Sequence, residues 1–294
     1  MTNQRIKFRG EYDDAKYWER VDRSLGWLGA TAEEQKKTQK KLRDTVIGVS
    51  GCGGIGGAVA ARLARLGVRH IKLADPDSFD VTNINRQMGA NFDNVGRNKA
   101  EVVADMVHEI TPDVTLEVFA EGIIPSSAEE FMHGCDYVMD QMDFYEIGNR
   151  YALHRAFRKS DSCKFMFKIP TVGHSVFVFK YTKDSMPIED VYELPEDATI
   201  TPEVTRRLME RIIPEMPSYP NTEMLDHWFV DLKRMPIFAA CPPLAEGILV
   251  ERLAQAITGL DQLPNAQQLP AQPGYALFDT LTWKSKVVHG QWWE

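Results

Sequence analysis

Apolar positions follow two rhythms along this chain. The run at 45–50 (TVIGVS) reads as a buried strand, and 69–74, 114–120 and 137–140 read as further strands. Between them, 58–66, 97–110, 126–133 and 146–159 repeat apolar residues at helical spacing. Strands and helices that take turns predict βαβ units and a parallel sheet. The rhythm then changes. Two apolar strands, 164–169 and 175–181, are split by PTVGH, a return that makes the sheet mixed.

The flanks obey neither rhythm. Residues 10–44 are helical and charged, with TAEEQKKTQKKLRD leading into the first core strand. From 182 to 236 the alternation stops. This stretch is rich in proline and holds twelve acidic residues against six basic ones, which sets it apart from the core. It contains one well-marked helix, with Thr201 as N-cap and Pro202 at the first helical position, and a second helical patch at 224–232. An apolar helix at 244–257 and strands within 275–289 close the chain. Four segments follow: an N-terminal helical arm (1–44), a nucleotide-binding core (45–181), a crossover insertion over the active site (182–240), and a C-terminal helix with closing strands (241–294).

Composition narrows the class. Hydrophobic residues make up 44% of the 294 and charged residues 26%, an ordinary globular balance. The longest apolar runs are too short to span a bilayer, and MTNQRIKFRGEYDD lacks the apolar centre of a secretory signal. A cytoplasmic protein without membrane partners is expected. The formal charge of −8 argues against a broad nucleic-acid surface. The four cysteines form no CxxC pair, so no structural zinc is expected.

The chemistry starts at GVSGCGGIGGAVAARLARLG, from residue 48. Gly51, Gly53, Gly54 and Gly56 make a glycine-rich turn into a helix, where free N–H groups and the helix dipole suit phosphate. GxGxxG with Asp75 after the next strand fits a dinucleotide. It fits ATP equally. The following ADPDSFDVTNINRQMGANFDNVGRNKAEVV decides between them, because a dinucleotide has no need of Asn83, Arg86 and Lys99 there. A triphosphate does need them: its extra charge must be neutralised before an anionic nucleophile approaches. Arg86 offers a planar fork and Lys99 a point charge in the first turn of its helix. Asp143, after YVMDQM at the end of the fourth strand, suits Mg²⁺. Taken singly, Arg86 and Lys99 read as solvated charges and Asp143 as a helix cap. The ordered set argues against that reading.

Gly51-Cys-Gly-Gly-Ile-Gly, ADPDSFDVTNINRQ, GRNKA and CDYVMDQMD together resemble the motif series of the ThiF/MoeB/HesA superfamily, over roughly residues 15–260. The resemblance implies a Rossmann-like, mainly parallel α/β sheet with helices on both faces, antiparallel additions and a crossover insertion. It implies ATP- and Mg²⁺-dependent adenylation of a carboxylate, borne by a ubiquitin-like protein, a peptide or a small acid. By the same resemblance Asp75 binds ribose, Asn83, Arg86 and Lys99 contact phosphates, Asp77 and Gln87 join the nucleotide set, and Asp143 takes the metal. It also implies a homodimer in which an N-terminal arginine reaches the partner's ATP, with Arg20 and Arg23 the candidates. Three departures stand out. Phe144 and Gly148 occupy places usually held by asparagine and arginine, with Asn149 and Arg150 displaced. The paired-CxxC zinc site is missing. No cysteine lies in 182–236, and Cys241 reads as part of a packed turn. The rival readings are an NAD(P)-dependent oxidoreductase, a non-catalytic scaffold subunit, and a tRNA-modifying dehydratase of the same superfamily.

Overall fold

A computed structural model describes residues 5–293. Its centre is a mixed sheet in the order β1-β4-β3-β2-β5-β6-β8-β9-β10. The parallel part is β2 (Val46–Ser50), β3 (His70–Ala74), β4 (Thr115–Phe119), β5 (Tyr137–Asp140) and β6 (Phe165–Lys168). β8 (Ser175–Tyr181), β9 (Tyr275–Asp279) and β10 (Lys284–Val288) continue it antiparallel. The expected α/β architecture is present. The sequence rhythm misses β1 (Ile6–Phe8), which pairs antiparallel with β4, and β7 (Thr171–Val172), which folds back on β8 through PTVGH. Both are too short to show a period.

Helices cover both faces. On one, α2 (Ala32–Asp44), α3 (Gly56–Leu66), α4 (Lys99–Ile110) and α10 (Cys241–Thr258) bury Leu42, Leu63, Val103 and Leu249 against the sheet. On the other, α5 (Ala128–Met132) and α6 (Ile147–Lys159) share a core with the 182–240 segment, represented by Leu208 and Phe229. That segment leaves β8 and builds α7 (Ile188–Tyr192), α8 (Pro202–Ile212), α9 (Thr222–Asp226) and a π-helical turn (His227–Asp231) before α10. Local chemistry sets the helix starts. Thr201 caps α8 with Pro202 behind it, and Thr31 and Glu34 form a reciprocal cap on α2.

Within residues 5–44 the N-terminal helices are packed on the core. In α1 (Asp14–Leu25), Tyr17 is buried and its hydroxyl donates to the Gly67 carbonyl. Among the described residues no helix is long and apolar enough to cross a membrane.

Candidate active site

The carboxyl ends of β2, β3 and β5 open onto a cleft of about 240 Å³. The glycine loop forms its floor, and steric arithmetic shows why glycine is required there. A Cβ on Gly56 would lie 1.8 Å from the Gly51 carbonyl oxygen, and one on Gly51 (φ 93°) would lie 2.3 Å from that of Gln141. Gly53 and Gly54 are different: a Cβ there meets only ordinary contacts, at 3.7 and 3.4 Å. Nothing within the chain demands glycine at those two positions, so the space beside them is left for a ligand's close approach.

Asp75, at the end of β3, is buried and holds the loop in shape. Its carboxylate accepts the Cys52 amide at 2.6 Å and the Asp77 amide at 2.9 Å. Burial raises its pKa and the Cys52 amide opposes the rise. Lys99 opens α4, largely buried, with Nζ 2.8 Å from Asp77. Arg86 lines the same cleft, its guanidinium donating to the Thr82 carbonyl and the Asn85 side chain. Burial lowers its pKa, and so does a like charge from the crossover segment, Arg234. Arg86 and Lys99 both line the cleft, and two cations on one wall mark a place for an anion. Sequence reasoning missed Arg234 because no motif includes it.

Two amides add to the case. Gln87 Oε1 and Gln141 Nε2 are buried on the cleft wall without a partner, a costly state that a ligand relieves. Asn83 lies off the wall. Its Oδ1 accepts the Asp80 amide and its carbonyl accepts the amides of Arg86 and Gln87, so it shapes the turn that presents them.

Asp143 lines the cleft but not as a strand end. β5 stops at Asp140, and Asp143 stands three residues beyond, exposed, accepting the Tyr145 amide at 3.2 Å. The residue that ends the strand, Asp140, is the one sequence reasoning overlooked. It is fully buried, 2.9 Å from Arg150, 3.6 Å from His154 and 3.8 Å from Lys168. Burial alone would raise its pKa; Arg150 and then Lys168 hold it well below the usual carboxylate range. Burial, followed by repulsion from Arg150, brings Lys168 down to about 8. Arg150 also donates at 2.8 Å to the carbonyls of Met142 and Asp143, which fixes the loop that carries Asp143.

The departures from the family pattern now have a physical reason. A Cβ on Gly148 would lie 2.9 Å from the Glu196 carbonyl, so glycine admits the crossover segment onto α6. Phe144 packs on Phe229 at 4.7 Å, and the Tyr145 hydroxyl donates to the Phe229 carbonyl at 2.8 Å. The positions that usually carry asparagine and arginine here seat the crossover segment, and Ile237 from that segment reaches the cleft wall.

The N-terminal arginines lie elsewhere. Arg20 is held within its own chain by Asp113 at 2.9 Å and the Ala64 carbonyl at 2.6 Å, at the amino ends of the parallel strands rather than the carboxyl ends that open onto the cleft. Arg23 is exposed. Cys241 donates its thiol to the Gly173 carbonyl at 3.1 Å, and burial raises its pKa. That is a packing cysteine.

An α/β sheet whose glycine loop, two cleft cations and nearby acid line one cleft defines a Rossmann-like protein with a site suited to an anion. The ThiF family profile matches residues 22–269, and this chain belongs to that family. The tRNA threonylcarbamoyladenosine dehydratase of Escherichia coli (strain K12) is 39% identical over 109 residues, 37% of this chain and 41% of that protein. The chain thus aligns with about two fifths of the length of such curated relatives. The crystal structure of the E. coli dehydratase superposes with a TM-score of 0.58 at 21% identity, covering 85% of this chain and 98% of that one. The crystal structure of PaaA gives 0.68 at 19% identity, covering 98% and 86%. That of E. coli MccB with ATP gives 0.63 at 19%, covering 97% and 74%. These structural likenesses establish the fold.

Proposed function

We propose that this protein uses ATP to activate a substrate carboxylate, giving an acyl-adenylate and pyrophosphate. The observation that carries the reading is the convergence of Arg86, Lys99 and Asp143 on a loop whose Gly53 and Gly54 are open to a ligand. Among the described residues the cleft wall carries neither cysteine nor histidine, so it offers no thiol for an enzyme thioester. A carboxylate needs none. It is ionised at neutral pH and attacks the α-phosphorus itself. As the new C–O–P linkage forms, the bond from the α-phosphorus to the β-bridging oxygen breaks and pyrophosphate leaves.

The chain's own work is placement and charge. The loop amides and Lys99 hold the phosphates, Arg86 takes the departing pyrophosphate, and Asp75 keeps the loop in register while facing the ribose. Asp143, with Glu146 beside it on the wall, is an all-oxygen donor set of the kind Mg²⁺ accepts. The ion would neutralise phosphate charge there. The crossover segment, through Ile237, shields the mixed anhydride from water.

A second reading concerns the next step. The 39% identity with a tRNA dehydratase favours a tRNA-borne carboxylate over a ubiquitin-like tail, whereas the charge of −8 disfavours a broad RNA surface. Adenylation serves both, since it turns a carboxylate oxygen into a leaving group. We also propose a homodimer completed in trans by Arg23; Met88 and Phe92, exposed beside the cleft loop, give it an apolar contact. ATP–pyrophosphate exchange, dependent on an added carboxylate or on tRNA, tests the activity. No exchange with either class would overturn it.

A further inference from the structure

A second cavity, of about 350 Å³, adjoins the nucleotide cleft, and Thr171 and Ile237 line both. Its chemistry is unlike the cleft's. The walls are His174, Tyr219, Trp228, Phe238 and small apolar neighbours, with no Asp, Glu, Lys or Arg. The His174 ring stands 6.1 Å from Tyr219 and 6.0 Å from Phe238, centroid to centroid.

The sequence builds this cavity on purpose-made backbone. Gly173 turns the β7–β8 hairpin at φ 60°, and a Cβ there would lie 1.9 Å from the Tyr219 carbonyl. Only glycine lets the 219–220 backbone close on the hairpin tip. Cys241 fixes the far side through its bond to the Gly173 carbonyl. Phe238 and Tyr219 nonetheless remain 66% and 50% exposed, so the aromatic walls still have surface to bury.

Given the adenylation reading, on which this rests, we infer that the cavity receives an aromatic or large aliphatic side chain on the substrate, next to the carboxylate being activated. Continuity through Thr171 and Ile237 puts such a group beside the reacting end. The absence of cations excludes a phosphate backbone there. A Gly-Gly tail would leave the aromatic walls bare, and filling them is worth about tenfold or more in affinity. The substrate class is therefore a carboxylate such as a peptide C-terminus ending in a bulky apolar residue.

The test titrates the full chain, saturated with a non-hydrolysable ATP analogue, with N-acetylphenylalanine, N-acetylglycine and N-acetylphenylalanine amide. Tryptophan fluorescence is the readout, with Trp228→Phe assigning the signal. N-acetylphenylalanine should bind about tenfold or more tighter than N-acetylglycine, and the Tyr219→Ala/Phe238→Ala double variant should erase most of that preference. Equal affinity, no binding of either acid, or a preference that survives the double variant overturns the inference. Pyrophosphate exchange separates it from the reading beneath it. If N-acetylphenylalanine binds as stated yet supports no exchange, the side-chain cavity stands and adenylation of that acid falls. If tRNA alone drives exchange, adenylation stands and this substrate class is wrong.

Discussion

Single residues divide the nucleotide between them. Asp75 accepts two backbone amides, so Asp75→Ala should loosen the glycine loop and lose affinity for AMP and ATP alike, by about 1.5–3 kcal/mol. Lys99→Met should lower ATP affinity and leave AMP nearly unchanged. Calorimetry with both nucleotides checks the pair, and the reverse pattern would mean that the nucleotide lies the other way round. Asp143→Asn should abolish magnesium-dependent pyrophosphate exchange with the melting temperature held, because the Asp143 side chain is exposed and accepts the Tyr145 amide, a bond the Asn carbonyl can keep. Most of this site was legible because one stretch, 75–99, carries the acid, the arginine and the lysine together. The Asp140 cluster was not. Its members come from β5, α6 and β6, and only the folded sheet makes neighbours of residues so far apart in sequence. Nor could spacing reveal that the charge of Arg234 acts on Arg86.

Among elements, the core strands were readable because short, mostly apolar segments alternate with stretches of helical spacing. The path of the crossover segment was not, since its docking depends on Phe144, Gly148 and Phe229 finding one another. The α6–β6 pair allows a pH prediction. Lys168 titrates near 8 in the fold and near 10.4 unfolded, so between those values the unfolded chain binds more protons. Stability should therefore rise with pH from about 8 to 10 relative to a Lys168→Met variant, and the advantage should be lost as pH falls through 8. The full span is about 3 kcal/mol. Parallel melts of the two proteins at pH 7, 8, 9 and 10 read this; a constant difference would show that Lys168 is not depressed. In α10, Gly247 is exposed with no atom near its missing Cβ. Gly247→Ala should stabilise by about 0.5–1 kcal/mol in a denaturant melt.

At the scale of the whole molecule, the proposed trans dimer is tested by complementation. Arg23→Ala and Asp143→Asn are each expected to be inactive alone. Mixed and allowed to exchange subunits, they should recover part of the wild-type rate, because one supplies the arm and the other the metal site. Exchange without recovery, or an active monomer, would leave Arg23 an ordinary surface charge. Arg20→Ala should instead lower stability, as it breaks the bonds to Asp113 and Ala64.

The pairing of β8 with β9 sets an order of events in folding. β2 with β3, β3 with β4, and β5 with β6 can assemble as neighbouring βαβ units, whereas β2 meets β5 only across 51–136. β8 finds its outer partner only across the whole 182–274 stretch, and Ser175 bonds Asp279 over that distance. Closing so long a loop is slow, because its entropy is lost before the pairing compensates. A refolding chain should therefore regain its separate βαβ units first and its nucleotide affinity later, since Ile237 and Pro242 reach the cleft wall from beyond the longer closures.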